Sequence, residues 1–97
     1  MIRDRVAAEL IDLSNRMQPI TFGTEWYLFG SVDRNEPDAS DIDLIIICKN
    51  DSQADDLRRQ IDTDAFSPSL DLSIFTYEEA LFSRVLTLQR ASLIAKI

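Results

Sequence analysis

Apolar residues recur at the spacing of a helix face along the first seventeen positions. Ile2, Val6, Leu10, Leu13 and Met17 form the stripe, while Arg3, Glu9, Asp12 and Arg16 lie off it. The pattern predicts an amphipathic helix of about four turns that covers a core. Pro19 ends it, because the residue ahead of a proline is pushed out of the helical region. Gly23 and Thr24 form the turn that follows. The period then changes. Residues 26–29 are an apolar run that breaks at Gly30-Ser31 into a polar loop, and a second run opens with Asp41-Ile42-Asp43 and continues through Leu44, Ile45, Ile46 and Ile47. Both runs read as strands.

A second helix is predicted over residues 50–63, capped by Asp51 or Ser52, with Ala54, Leu57 and Ile61 as its apolar stripe. Arg58 and Arg59 sit beside acidic neighbours and read as a solvated face. Pro68 interrupts, and residues 70–75 alternate apolar and polar as a half-buried strand does, with Asp71 and Ser73 on the polar face. Thr76 and Glu79 match a capping box and start a last helix. Its stripe of Leu81, Val85 and Leu88 is widened by Phe82, Leu86, Leu93 and Ile94, with Arg84, Arg90 and Lys96 towards its end, where the helix dipole favours cations. So broad an arc reads either as packing across the sheet or as an oligomer or partner contact.

These elements give the order α-β-loop-β-α-β-α. The expected fold class is α/β (α+β), a small mixed sheet of three to four strands with helices packed against it. Strand one and strand two run antiparallel, and strand two reaches strand three through a helical crossover, so those two are parallel.

Composition narrows the picture. The 97 residues make one domain, 1–97, with a single core. Apolar residues are 45% of the chain, which suits a folded globule. The net charge of −7 argues against non-specific attraction to nucleic acid or to an anionic membrane. With no long apolar run and no leader pattern, a soluble cytoplasmic protein is expected. The single cysteine, Cys48, closes an apolar strand and reads as a buried small hydrophobe.

The candidate chemistry lies at residues 30–43 and at Asp71. On a strand, Asp41 and Asp43 project from one face while Ile42 points to the other. Two carboxylates side by side repel unless a cation sits between them, and magnesium takes carboxylate oxygens while keeping room for water and phosphate. Parallel pairing brings Asp71 to the same edge. Gly30 lets a phosphate approach the backbone, and Ser31, opening a helical turn, aims its amide and hydroxyl at an anion. Asp41, Asp43 and Asp71 would hold one or two magnesium ions, neutralise a triphosphate and prepare a hydroxyl for in-line attack. Asp71 is the best placed to approach that hydroxyl.

Gly30-Ser31, nine intervening residues, then Asp41-Ile42-Asp43-Leu44 resembles the signature of the DNA polymerase beta-like nucleotidyltransferase superfamily. Phe29 fits the apolar position before the glycine, and Leu70-Asp71-Leu72 is similar to the third acidic motif. The resemblance spans nearly the whole chain and is nearest to the minimal nucleotidyltransferases, which are often paired with a HEPN-domain partner in toxin–antitoxin modules. It implies a palm-like fold and magnesium-dependent transfer of a nucleoside monophosphate, AMP from ATP above all, to a hydroxyl. In the toxin–antitoxin members that hydroxyl is a tyrosine of the HEPN toxin.

One departure falls after the turn. Where many members carry Arg-Gly, this chain has Arg34-Asn35, and asparagine tolerates left-handed backbone. Arg34 is then either a phosphate contact or the ion-pair partner of Glu36 or Asp38. Larger relatives append a helical domain, so here a HEPN-type partner or a second subunit is expected to complete the pocket. A binding subunit that neutralises its partner by occlusion is the alternative, and an aminoglycoside-modifying transferase a third reading. Trp26, Tyr27 and Tyr77 are expected to pack, Ser40 to cap the loop, and Glu25 and Asp33 to be solvated charges.

Overall fold

The computed structural model describes residues 2–97. Its order is α1 (Ile2–Arg16), β1 (Glu25–Phe29), α2 (Gly30–Asp33), β2 (Ile42–Cys48), α3 (Asp51–Gln60), a 3₁₀ turn (Thr63–Ala65), β3 (Leu70–Thr76), α4 (Tyr77–Ser83), α5 (Val85–Leu88) and β4 (Ser92–Lys96). One mixed sheet runs β3-β2-β1-β4. β1 is antiparallel to both of its neighbours, and β2 and β3 are parallel. The expected α/β class and the expected strand directions are therefore those of the molecule.

β2 is the spine of the core. Ile42, Leu44, Ile46 and Cys48 face one side and join Val6 and Leu10 of α1, Trp26 and Leu28 of β1, and Ala54 and Leu57 of α3 in the main cluster. Ile45 and Ile47 face the other side, where Ala80 of α4 and Val85 and Leu86 of α5 cover them with Tyr27, Phe29 and Phe75. Both faces are thus buried along the middle and end of β2, which explains its uninterrupted apolar run. Asp43 lies on the second face ahead of the cover, so that end of the sheet stays open. Cys48 is fully buried, and burial raises its thiol pKa, which suits an inert packing role.

The link from α1 to β1 is tied by a relay of buried hydroxyls. Trp26 Nε1 donates to Thr24 Oγ1 at 3.0 Å, Thr24 donates to the Thr21 carbonyl at 2.7 Å, and Thr21 donates to the Ser14 carbonyl at 2.7 Å. Ser14, Thr21 and Thr24 are fully buried, and each hydroxyl is satisfied, as buried polar groups must be: those of Thr21 and Thr24 by this chain of bonds, and that of Ser14 by donating to the Ile11 carbonyl at 2.7 Å.

Four expectations need correction. The cap of α3 is Asn50, not Asp51 or Ser52: its Oδ1 accepts from Gln53 N at 2.9 Å, and the helix ends at Gln60. The last helix is not continuous. α4 carries the expected Thr76–Glu79 capping box, but Arg84 turns left-handed at φ 57° and Arg90 again at φ 53°, after which the chain becomes β4. β1 needs a partner on its free edge, and pairing with β4 satisfies it. That tertiary gain overrides an apolar spacing that fits a helix equally well. Leu93, Ile94 and Lys96 accordingly belong to a strand.

Asp33 and Glu25 are not solvated. The Asp33 side chain is 11% exposed, taking Arg3 Nε at 3.0 Å and Ser92 Oγ at 2.9 Å. Glu25 accepts from Tyr27 Oη at 2.6 Å, with Lys96 Nζ at 3.8 Å. Trp26 packs as expected, and Tyr77 donates to the Gly23 carbonyl at 2.8 Å while staying partly exposed.

Replacing Asp33 by alanine should destabilise the fold by about 1–3 kcal/mol, because Arg3 and Ser92 lose a largely buried acceptor. Asp12→Ala removes only an exposed pair with Arg16 and should matter by less than about 0.5 kcal/mol. Chemical denaturation of the two variants checks the ranking. Equal losses would reduce Asp33 to surface charge.

Candidate active site

β1 ends at Phe29, which stands opposite Asp43 on β2. Asp43 in turn stands opposite Asp71 on β3. Three adjacent strands therefore deliver the Gly30 turn, Asp43 and Asp71 to one edge of the sheet. Gly30 has φ +74°, a left-handed conformation that glycine adopts without strain. A Cβ built there would run into Asp43 Oδ2, with Cγ at 3.1 Å. Glycine is needed here because the Asp43 carboxylate packs directly on its backbone. That is a more specific reason than the expected approach of a phosphate.

α2 follows at once. Arg34 N donates to the Gly30 carbonyl at 3.1 Å and Glu36 N to the Ser31 carbonyl at 3.0 Å, while Val32 anchors the turn in the core. Asn35 takes φ 58°, the left-handed turn expected of it. Among the described residues the Ser31 hydroxyl makes no hydrogen bond and so remains free to receive a ligand oxygen. Arg34 Nε pairs with Glu36 at 2.6 Å, which decides between its two expected acidic partners.

The pKa of Asp43 is raised above the ordinary carboxylate value. Burial is the largest cause, followed by the negative fields of Asp71 and Asp41 and a hydrogen bond with Asp71; Arg34 opposes them. The acids are thus close enough to act on one another. They do not form the expected three-ligand cluster: among the described residues no three carboxylates, thiols or imidazoles are gathered to hold a metal ion. Asp43 and Asp71 form a pair, and Asp41 stands in the exposed bend before β2, where its repulsion with the others is relieved by water. Such a pair suits magnesium, which commonly takes one or two carboxylates and fills its remaining positions with water and substrate phosphate.

Pattern reading missed a cleft on the same face of the sheet. It encloses about 400 Å³ between Ile47 and the α4–α5 cover, with Glu25, Tyr77, Arg84 and Thr87 at its walls. Ile47 is four residues along β2 from Asp43, roughly 13 Å at strand spacing. The Tyr27 hydroxyl beside it has its pKa pushed up to about 12 by burial and by Glu25, so it stays protonated and donates to that carboxylate. Nothing in the sequence marks this cleft, because its far wall exists only where the last helix breaks at Arg84.

Two predictions follow from this geometry. Gly30→Ala meets both a disallowed φ and the Asp43 carboxylate, and should destabilise by more than about 2 kcal/mol. In an Asp43→Ala background the same change should cost only about 1–2 kcal/mol, the backbone contribution alone. Equal costs in the two backgrounds would remove the contact from the account. Asp43 also sets a pH dependence in metal-free buffer. The folded chain keeps its proton to higher pH than the unfolded chain does, so stability falls as pH rises from the ordinary value of 3.8 through the raised one. Asp43→Asn should therefore melt higher than the native chain near neutral pH and lose that advantage below the ordinary value. Thermal melts across that range decide it.

Comparison with known proteins agrees with the geometry. The model of the nucleotidyltransferase domain family matches residues 8–94, which include every strand's site residues and most of the core. No curated protein and no solved structure gives a significant match. With the match covering most of its length, the chain belongs to the nucleotidyltransferase domain family.

Proposed function

We propose that the chain transfers a nucleoside monophosphate, AMP from ATP, to a hydroxyl group in the cytoplasm. The observation that carries this reading is the meeting of Gly30, Asp43 and Asp71 at one sheet edge. Asp43 and Asp71 are the residues that would hold magnesium, with Asp41 adding negative field from the bend. When bound, magnesium supplies charge neutralisation for the triphosphate and polarises the phosphorus under attack. The chain's own groups do the rest. Ser31 offers a free hydroxyl to a phosphate oxygen, at a turn where Gly30 leaves the backbone bare. Asp71, exposed on the outermost strand, faces the acceptor hydroxyl and holds or removes its proton. Arg34 can exchange Glu36 for a phosphate at little cost, since an exposed ion pair is worth only about 0–1 kcal/mol.

The acceptor we favour is a hydroxyl of a partner protein, such as a helical HEPN-type toxin for which this chain acts as antitoxin. The exposure of Asp41 and Asp71 supports a large acceptor, because among the described residues neither carboxylate is buried under another element. A second reading is neutralisation by occlusion, without transfer. It is favoured by the exposure of Leu81, Phe82 and Leu88, which a binding subunit would bury against its partner.

Incubation with magnesium and α-labelled ATP, together with the partner encoded alongside, should label the partner. Asp43→Asn and Asp71→Asn should each lower that labelling by about 100-fold or more while the variants stay folded. Unchanged labelling by both variants would remove these carboxylates from the reaction. Full neutralisation of the partner by an unlabelling variant would instead favour occlusion.

A further inference from the structure

α4 and α5 carry large apolar side chains that no described element of the chain covers. Phe82 is 92% exposed, Leu81 83% and Leu88 73%, with Leu93 of β4 at 51%. Large apolar side chains left in solvent on neighbouring elements mark an interaction surface. The charge around them departs from that of the rest of the molecule: residues 81–97 carry three of the ten cations and none of the seventeen acidic side chains. Among the described residues Arg84 forms no ion pair, and neither does Glu78 one helix length before it, although most of the other cations are paired.

The order along α4 is acid, apolar, cation: Glu78, then Leu81 and Phe82, then Arg84. Read from its other end, that order is complementary to itself. We propose that a second copy of this chain docks on α4, antiparallel to it about a two-fold axis. Leu81 and Phe82 of both copies then meet at the centre, and Glu78 of each copy faces Arg84 of the other. The two-fold axis uses one patch twice, as isologous dimers do.

Three observations favour this occupant. A chain of net charge −7 repels its own copy, and the acid-free stretch 81–97 is where that repulsion is weakest. An acidic protein or an anionic membrane would engage Arg84 and Arg90 but leave Glu78 facing like charge, whereas a second copy satisfies both signs. The left-handed turn at Arg84 also stops α4 after two turns, so the cation falls at the helix end, where an antiparallel neighbour presents its first turn. The apolar centre supplies the affinity and the charge pairs set the register. Leu81 and Arg84 also line the cleft over Ile47, so the second copy would close its open side.

Sedimentation equilibrium of the full chain at low salt tests the proposal without nucleotide, so its outcome is independent of the transfer reaction. The native chain should show a reversible monomer–dimer equilibrium. Glu78→Arg and Arg84→Glu should each weaken it roughly tenfold, because two attractive pairs become repulsive. An equimolar mixture of the two variants should dimerise about as tightly as the native chain, since every arginine again faces a glutamate. Phe82→Asp should abolish association while its circular dichroism stays native. The proposal is overturned by a native chain that stays monomeric near millimolar concentration, by a mixture no tighter than its components, or by a dimer that survives Phe82→Asp. Those results would give the patch to an acidic protein partner or to a membrane.

Discussion

A carboxylate packed on a bare backbone carbon demands a glycine, a tight turn and a strand register all at once. Asp43 and Gly30 meet these demands together. The antiparallel register of β1 and β2 places Phe29 opposite Asp43, so the next residue of β1 must leave the sheet beside the carboxylate. Any side chain there would occupy the carboxylate's volume, and any other backbone conformation would send α2 in another direction. The parallel register of β2 and β3 then sets Asp71 beside Asp43 without further arrangement. One contact between neighbouring strands thereby fixes the Gly30 turn and two carboxylates relative to one another.

The acid pair exists at an electrostatic cost. Burial and the neighbouring carboxylates both oppose ionisation of Asp43, and Arg34 only partly offsets them. A fold selected for stability alone would place an apolar or neutral residue at that register position, as β2 does at Ile45 and Ile47. Local strain of this kind is expected where a charged ligand is to be received, since the same fields that oppose the bare carboxylates favour a cation between them. The acidic end also lies open because the α4–α5 cover stops short of it, leaving Asp71 and Asp41 in contact with water.

The sequence made the elements up to Thr76 legible, and the reasons are local. The 3.6-residue stripe of α1, the continuous run of β2 and the alternation in β3 each bury apolar side chains in a way that one period describes. Asp43 and Asp71 could be brought together from sequence because a helix between two strands forces a parallel pairing, and the register then follows from the run lengths. The break at Arg84 and the strand beyond Leu88 were not legible. Leu93, Ile94 and Lys96 fit a helix stripe as well as a strand, and what decides between them is the unpaired edge of β1, some seventy residues earlier in the chain. The roles of Glu25 and Asp33 were hidden for the same reason. Each looks like surface charge until β4 arrives with Lys96 and Ser92 to pair with it.

That late strand also bears on the acidic end of the sheet. α2 is a single turn, and an isolated turn of helix does not hold its own shape. Here it is pinned on three sides: Val32 is buried in the main core, Arg3 of α1 pairs with Asp33, and Ser92 of β4 donates to the same carboxylate. Arg3 N adds a further bond to Asn35 Oδ1 at 3.3 Å, just where the turn passes through left-handed backbone. The first helix and the last strand, neither of which contributes a residue to the candidate site, therefore set the position of the turn that carries Ser31. A turn held this way is already in place when a charged ligand arrives, so little reorganisation is needed at the moment of binding. The segments that looked least informative in the sequence are thus the ones that hold the Gly30–Ser31 turn still.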